Sequence, residues 1–336
     1  MSLEPLTPER ALELYLDHRR NEVARQTLQS HRSRLEYFVG WCHDQGIENL
    51  NDLNGRKLYE YRIWRRNDGD LSKVSEKTQM VTIRVFVKFL ESIDAVDPDL
   101  HTKVQLPSLS ANDDVRTEML EADRAEQILS YLGKYRYASV RHVVLALAWR
   151  TAMRRGAIHA LDVEDYHPDE QYIETVHRNE TGTPLKNQES GERYVALSDG
   201  LCELLDDWLA DQRPDVSDDY DRNPLLTSKY GRLHHSTVQH IIYEVTRPCL
   251  YTDDCPHDRD IDTCEATEYD SVSQCPSNRS PHGVRRGAIT HWLSQDVPEQ
   301  VVSDRANVSP DVIEKHYDQR EPRDKMEQRR GFLDNI

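Results

Sequence analysis

Apolar residues recur at helical spacing through most of the chain, and only two short stretches alternate as strands do. Residues 7–95 read as helices throughout. Thr7-Pro8-Glu9-Arg10 is a capped start with proline in the first turn. Leu28, His31, Leu35, Phe38, Val39 and Cys42 share one face of a second helix that ends near Gly46. Leu58, Tyr61 and Trp64 mark a third. Met80, Ile83, Val87 and Leu90 face inward from a fourth, Ser75 to Ile93. The pattern predicts a helical bundle over residues 1–97.

Periodicity stops at 98–114, where Pro98, Pro107, Ser108, Ser110, Asn112, Asp113 and Asp114 favour a linker. A second domain is expected over 115–336. Glu121 to Leu132 is amphipathic, and Ser139 to Trp149 is apolar nearly all round, as a buried helix requires. Another helix begins near Arg154. Gln171 to Val176 and Arg193 to Leu197 alternate as strands, joined by a polar turn, Arg178 to Gly191, that holds Lys186. Helices follow at 199–209, 236–246, 281–294, 298–306 and 310–317, and a charged, helical tail at 320–330. The fold class predicted is mainly α with a small β-sheet (α+β).

A chain of 336 residues suits two domains. No apolar stretch is long enough to cross a membrane, and the start, Met1-Ser2-Leu3-Glu4-Pro5, lacks a secretory pattern, so the expected location is the cytoplasm. The net charge of −17 argues by itself against a nucleic-acid partner. Its distribution changes that reading. Acidic and basic residues nearly balance in 1–110, and the excess lies in 111–336. Arg outnumbers Lys and Asp exceeds Glu, the composition of a surface adapted to concentrated KCl, as in halophiles. High salt weakens phosphate binding by removing the gain from counterion release. A binder working there depends on geometry and on forked guanidinium donors. Lys77, Arg84 and Lys88 align on the fourth helix, either as a solvated face or as a stripe that meets a phosphate backbone.

The chemistry concentrates late in the chain. His282 and Arg285 lie three apart in Pro281-His282-Gly283-Val284-Arg285-Arg286-Gly287. Tyr317 follows in Glu314-Lys315-His316-Tyr317-Asp318. Arg154 sits at a helix start in Thr151-Ala152-Met153-Arg154-Arg155-Gly156-Ala157-Ile158. In-line attack by a phenol on a phosphodiester needs forked cations for the non-bridging oxygens, a nucleophile, and a proton for the leaving oxygen. Each residue also has a plainer use: Arg154 in an ion pair with Asp162, His282 as a helix-start residue, Arg285 and Arg286 bridging to surface acids, Tyr317 as core, Lys186 as loop solvation.

The order and spacing of these strings resemble the tyrosine recombinases, the phage integrase and Xer family. Thr151–Ile158 resembles the family's first arginine box, and Lys186, before Arg193-Tyr194-Val195-Ala196-Leu197, its hairpin lysine. His282–Arg286 resembles its HxxR box. Ser303-Asp304-Arg305-Ala306-Asn307-Val308-Ser309 with Tyr317 resembles its final box. The resemblance implies an N-terminal SAM-like core-binding domain and a catalytic domain. It implies catalytic roles for Arg154, Lys186, His282, Arg285, Asn307 and Tyr317, with no cofactor for catalysis. Arg154 and Arg285 would clamp the scissile phosphate and Lys186 would protonate the leaving 5′-oxygen. His282 would assist proton transfer from the nucleophile or bond the phosphate, and Tyr317 would form a 3′-phosphotyrosyl link. The partner implied is double-stranded DNA, cut and rejoined at specific sites by a homotetramer on two sites, a monomer without DNA. Two positions depart from the pattern. Asn307 stands where the family usually has histidine or tryptophan, and as an amide it would donate a hydrogen bond to phosphate. Ala157 stands where an acidic residue is common, which predicts slower chemistry. Arg178 and Arg193 are rivals for the place of Lys186. A non-catalytic DNA-binding relative and a type IB topoisomerase are the alternative functions.

Cys249, Cys255, Cys264 and Cys275 fall in an Asp-rich insert, 249–280, too poor in apolar residues to fold on burial alone. Four thiolates, or three with His257, would make a structural zinc site; disulfides and free thiols are the alternatives.

Overall fold

The computed structural model describes residues 3–110, 113–330 and 333. The chain forms two compact units, Met1–Val115 and Arg116–Ile336, and its class is mainly helical with small antiparallel sheets.

Four helices make the first unit: α1 (Pro8–Arg19), α2 (Arg25–Asp44), α3 (Gly55–Asp68) and α4 (Lys73–Ser92). Short polar side chains satisfy the first free N–H groups of three of them. Thr7 caps α1, Asn54 caps α3 and Ser72 caps α4. Tyr15, Phe38, Trp41, Tyr61 and Phe86 form an aromatic core, with Phe38 edge-on to Tyr61 at 5.0 Å. The linker expectation needs correction at its start. Leu100 and Val104 are buried in this core, and a 3₁₀ turn over Leu100–Lys103 packs on α4. Two apolar residues four apart suffice to dock a segment whose overall composition is polar.

The second unit begins with α5 (Ala122–Tyr135), α6 (Val140–Thr151) and α7 (Arg155–Ala160). A three-stranded antiparallel sheet follows: β1 (Tyr166–His167), β2 (Tyr172–Thr175) and β3 (Arg193–Ala196), in that spatial order. Thr175 stands opposite Arg193. Then come α8 (Asp199–Asp207), the hairpin β4 (Thr227–Ser228) and β5 (Gly231–Arg232), and α9 (His235–Val245). The end of the chain holds α10 (Pro281–Ser294), α11 (Glu299–Ala306), the short α12 (Pro310–Val312), which widens into a π turn at Ile313–Tyr317, and α13 (Pro322–Arg330).

Helix α6 is buried from His142 to Trp149 and forms the axis of this unit, touching α5, α8, α9 and α10. Its apolar run leaves no face for water. Helix α10 lies so close to the segment before α5 that a Cβ on Gly287 would sit 1.9 Å from the carbonyl oxygen of Leu120. A second organising centre is ionic. Asp162, 3 % exposed, pairs with Arg178, Arg222 and Arg232. Asp165 adds a bond to Arg178, and Asp218 bonds to Arg222 and Arg232. Arg154 takes no part, so its plainer use as a partner of Asp162 does not apply. Among the described residues, no helix is long and apolar enough to cross a membrane.

The Cys-rich insert is anchored by arginines rather than by a sizeable core of its own. Arg247 donates to the carbonyl of Ala266, and Arg124 donates to those of Thr246 and Ser277. Arg279 bonds the carbonyls of Ser277, Asn278 and Met119. Tyr269 stacks on His240 of α9 at 3.9 Å.

Candidate active site

The site forms where five helix ends and one strand meet. Ala152 leaves α6 in the left-handed region, φ 47°. The chain then runs extended through Arg154, the N-cap of α7. Asn307 terminates α11 in the same left-handed region, φ 51°, which asparagine tolerates better than most residues. Tyr317 closes the π turn after α12. Helix α10 starts at Pro281, with Ser280 as cap, and carries His282 in its first turn and Arg285 in its second.

Arg285 is the hub. It is 1 % exposed and its Nε lies 3.4 Å from the Tyr317 hydroxyl. Its two Nη atoms donate to the carbonyls of Ala152 and of Ala306, 2.8 Å for the latter. One guanidinium thus ties together the approach to Arg154, the residue before Asn307, and the phenol. Arg154 Nη1 donates to Asn307 Oδ1 at 3.2 Å. Helix α10 also grips the backbone around the phenol. Arg286 Nε donates to the carbonyl of His316 and Thr290 Oγ1 to that of Tyr317, at 2.8 and 2.5 Å. Arg286 is 8 % exposed and its other acceptor is the Glu118 carbonyl, not the surface acid expected of it. Asp318, next in the chain, is paired with Arg320 and Lys325, both at 2.8 Å, and these bonds hold its carboxyl down at about 2 against the opposing cost of burial.

Arg193 is a further guanidinium beside the pair. From β3 it donates to the carbonyls of Arg305 and Gly191 and to Thr175 Oγ1. Burial, and then the charges of Arg285, Arg154 and Arg305, lower its pKa to about 10. Arg285 is likewise lowered to about 10, mainly by burial. Among the described residues, the partners of Arg154, Arg193, Arg285, Arg286 and Arg305 are carbonyls, a hydroxyl, a carboxamide and the phenol, with no carboxylate in an ion pair. His282 has an exposed edge, yet the protein around it, and then the charges of Arg285, Arg286, Arg154 and Arg155, lower its pKa to about 4. The imidazole is therefore neutral at pH 7 and a weak base, with one ring nitrogen to donate and one to accept a hydrogen bond.

Lys186 lies on the exposed connection between β2 and β3, next to Asn187, whose Nδ2 donates to Asn307 Oδ1 at 2.5 Å. Of its rivals, Arg178 turns away to Asp165, while Arg193 stays beside Arg154 and Arg285. Ala157 is buried in the core. The arrangement missed by sequence reasoning is the support: Thr290, Asn187 and the placement of Arg193. Strand alternation at Arg193 and its facing Thr175 were the only available signals.

Two other groups of candidates are not brought together as the spacing suggested. On α4, Lys88 is exposed and Lys77 half-buried, but Arg84 is half-buried and donates to the Val104 carbonyl. The docked 100–104 segment takes the middle of the supposed stripe. In the insert, Cys249, Cys255 and Cys264 are half-buried free thiols and Cys275 is buried. Burial raises the Cys249 thiol; Arg247 opposes this, and Cys275 and Cys255 add to it, so these three lie near one another. His257 Nε2, however, is hydrogen-bonded to Ser277 Oγ at 2.9 Å. Among the described residues, no three His, Cys, Asp or Glu side chains are arranged to hold a metal ion. The zinc expectation on Cys249, Cys255, His257, Cys264 and Cys275 thus has no ligand set here, and arginine–carbonyl bonds provide the anchoring it was invoked to explain.

The phage integrase family model matches residues 118–320, and the model of its N-terminal SAM-like domain matches residues 12–92. The chain belongs to the phage integrase family, and site-specific recombination of DNA is the activity class that goes with it. A search of curated proteins finds no match. Among solved structures, the Tn1549 transposon integrase in complex with transposon right-end DNA is 13 % identical, with 97 % of this chain and 99 % of that one covered and a TM-score of 0.66. A lambda integrase tetramer bound to a Holliday junction is 13 % identical, covering 95 % and 80 %, with a TM-score of 0.61. The N-terminal domain of a phage integrase/site-specific recombinase from Haloarcula marismortui is 36 % identical over 31 % of this chain and 99 % of that one, with a TM-score of 0.30.

Proposed function

We propose that this protein is a tyrosine recombinase that cuts and rejoins duplex DNA through a covalent link to Tyr317. The observation that carries this reading is a set of guanidiniums without carboxylate partners, gathered around one phenol in a chain of net charge −17. Buried cations left unneutralised by the protein suit an anionic ligand. Forked donors fit phosphate bidentately.

In the proposed reaction the Tyr317 oxygen attacks phosphorus in line with the 5′-oxygen. The O–P bond to tyrosine forms, the P–O5′ bond breaks, and the 3′-phosphate stays on the enzyme. Arg154 and Arg285 hold the non-bridging oxygens. The phenolic proton passes to solvent, with His282 assisting its transfer or bonding the phosphate, and Lys186 gives a proton to the departing 5′-oxygen. A 5′-hydroxyl from a second strand then reverses these steps, so resealing needs no external energy source and the chemistry needs no cofactor. The phenol is held by α10 of its own chain, which supports cleavage in cis. A tetramer on two duplex sites follows by analogy with the lambda integrase assembly, with the Asp-rich surface keeping the protein soluble in concentrated KCl in the cytoplasm.

The test is capture of SDS-resistant protein–DNA adducts from a library of randomised, nicked duplexes in molar KCl. Adducts that disappear in Tyr317→Phe support the reading. Sequence-specific retention of duplex without any adduct would instead make the protein a DNA-binding relative without catalysis. Relaxation of supercoiled plasmid without partner sites would mark a topoisomerase.

A further inference from the structure

We propose that Asn307 acts as a positioning residue, and that with Asn187 it forms a two-amide bridge setting Lys186 against Arg154. The inference rests on the proposed strand-transfer reaction.

The orientation of both amides follows from their neighbours. Arg154 has only donors, so the Asn307 atom that it meets at 3.2 Å is the oxygen. The carbonyl of Ser190 has only acceptor capacity, so the atom 2.7 Å from it is the Asn307 nitrogen. With Oδ1 fixed, Asn187 must present its nitrogen to it, at 2.5 Å. Asn307 thus spends its oxygen on Arg154 and Asn187, and a donor of its nitrogen on the loop backbone. Among the described residues the second N–H of that nitrogen stays free, so it is the oxygen that carries the bridge. Its left-handed backbone at the end of α11 fixes where the amide can reach.

The far end of the bridge is the residue after Lys186. Lys186 itself is exposed, on a connection whose 3₁₀ turn spans Gln188–Gly191. Further ties fix β3, the strand into which the loop runs, to the end of α11, and one bond steadies the loop from within. Arg193 Nε donates to the Arg305 carbonyl and Arg305 Nη1 to that of Ala196, at 2.9 and 2.8 Å. Ser190 Oγ donates back to the Asn187 carbonyl at 2.8 Å. The bridge joins the residue beside the proton donor directly to the guanidinium that holds the phosphate. Histidine or tryptophan at 307 has no single oxygen able to accept from both sides, so this coupling is specific to the amide.

The experiment uses full-length protein and a captured nicked duplex in two forms, one with the normal 5′-oxygen and one with sulfur in that bridging position. A thiolate leaves without a proton, so a defect that acts through Lys186 vanishes on sulfur. Asn187→Ala is expected to slow adduct formation by about tenfold or more on oxygen DNA, the scale of a misplaced catalytic group. On sulfur DNA both it and Lys186→Ala are expected to match wild type, and on oxygen DNA it is expected to add nothing to Lys186→Ala. Thermal melts of Asn187→Ala, an exposed position, control for folding. Equal slowing on both substrates, no slowing on either, or effects that multiply with Lys186→Ala would overturn the bridge. Failure of the wild type to form a Tyr317-dependent adduct would overturn the reaction itself, and the bridge with it.

Discussion

Arg285 Nε lies 3.4 Å from the Tyr317 hydroxyl, while the same guanidinium holds the carbonyls of Ala152 and Ala306. It is a structural clamp, and in the proposed reaction it also holds the phosphate. Arg285→Ala leaves two carbonyls without their donor in a buried site, and each such loss costs about 1–3 kcal/mol. Urea denaturation is expected to show a loss in that range or above. Arg285→Lys keeps the charge but not the planar fork. It is expected to fold better than the alanine variant and still to form adducts at less than about a hundredth of the wild-type rate, the scale of one lost transition-state donor.

Thr290 offers a gentler probe of the nucleophile. Its hydroxyl holds the Tyr317 carbonyl at 2.5 Å from one turn beyond Arg286. Thr290→Val conserves shape and removes the donor. A stability loss of about 1–3 kcal/mol is expected in chemical denaturation. Adduct formation should slow while affinity for intact duplex, measured by fluorescence anisotropy, stays at the wild-type value.

The close approach at Gly287 predicts a packing defect on the helix that carries Arg285 and Arg286. The added methyl of Gly287→Ala would meet the Leu120 carbonyl oxygen at 1.9 Å and the Trp149 ring at 3.0 Å. Backbone must move, and overpacking of this kind costs about 1–3 kcal/mol. A fall in the melting temperature of the second unit checks it. Gly200→Ala, with nothing within 4 Å, is the control.

Much of this architecture is readable from sequence because helices bury a periodic face. The buried α6 and the inward faces of α2 and α4 appear in the spacing of their apolar residues. The β4–β5 hairpin does not, since two-residue strands are too short to alternate. The docking of Leu100 and Val104 was hidden by polar neighbours. For the site, motif spacing points to Arg154, His282, Arg285, Asn307 and Tyr317, and the structure brings these segments together. What the residues bond to is illegible. Nothing in the order of the chain says that Arg178 turns to Asp165 while Arg193 turns to the Arg305 carbonyl, because these partners meet only in the tertiary structure.

Acid should weaken the second unit through its histidines. His159 and His235 stack at 3.7 Å, and burial first, then neighbouring cations, lower their pKa values to about 3 and about 4. His282 is at about 4 for the same reasons. An unfolded chain takes up these protons near the ordinary histidine value of about 6.5. The folded chain refuses them until the pH falls to about 4 or below. Unfolding therefore binds protons within that window, and stability falls as the pH drops through it and is flat above it. Melting temperatures across that range are expected to decline, and His159→Gln should flatten the slope.

The cluster of unpaired guanidiniums also has an evolutionary consequence. Replacing Arg154, which donates to Asn307 and to no backbone carbonyl among the described residues, with an uncharged side chain relieves repulsion among like charges, so random screening for thermal robustness would tend to enrich that change. Under the proposed reaction, hardiness and the capacity to handle DNA are then opposed at this position.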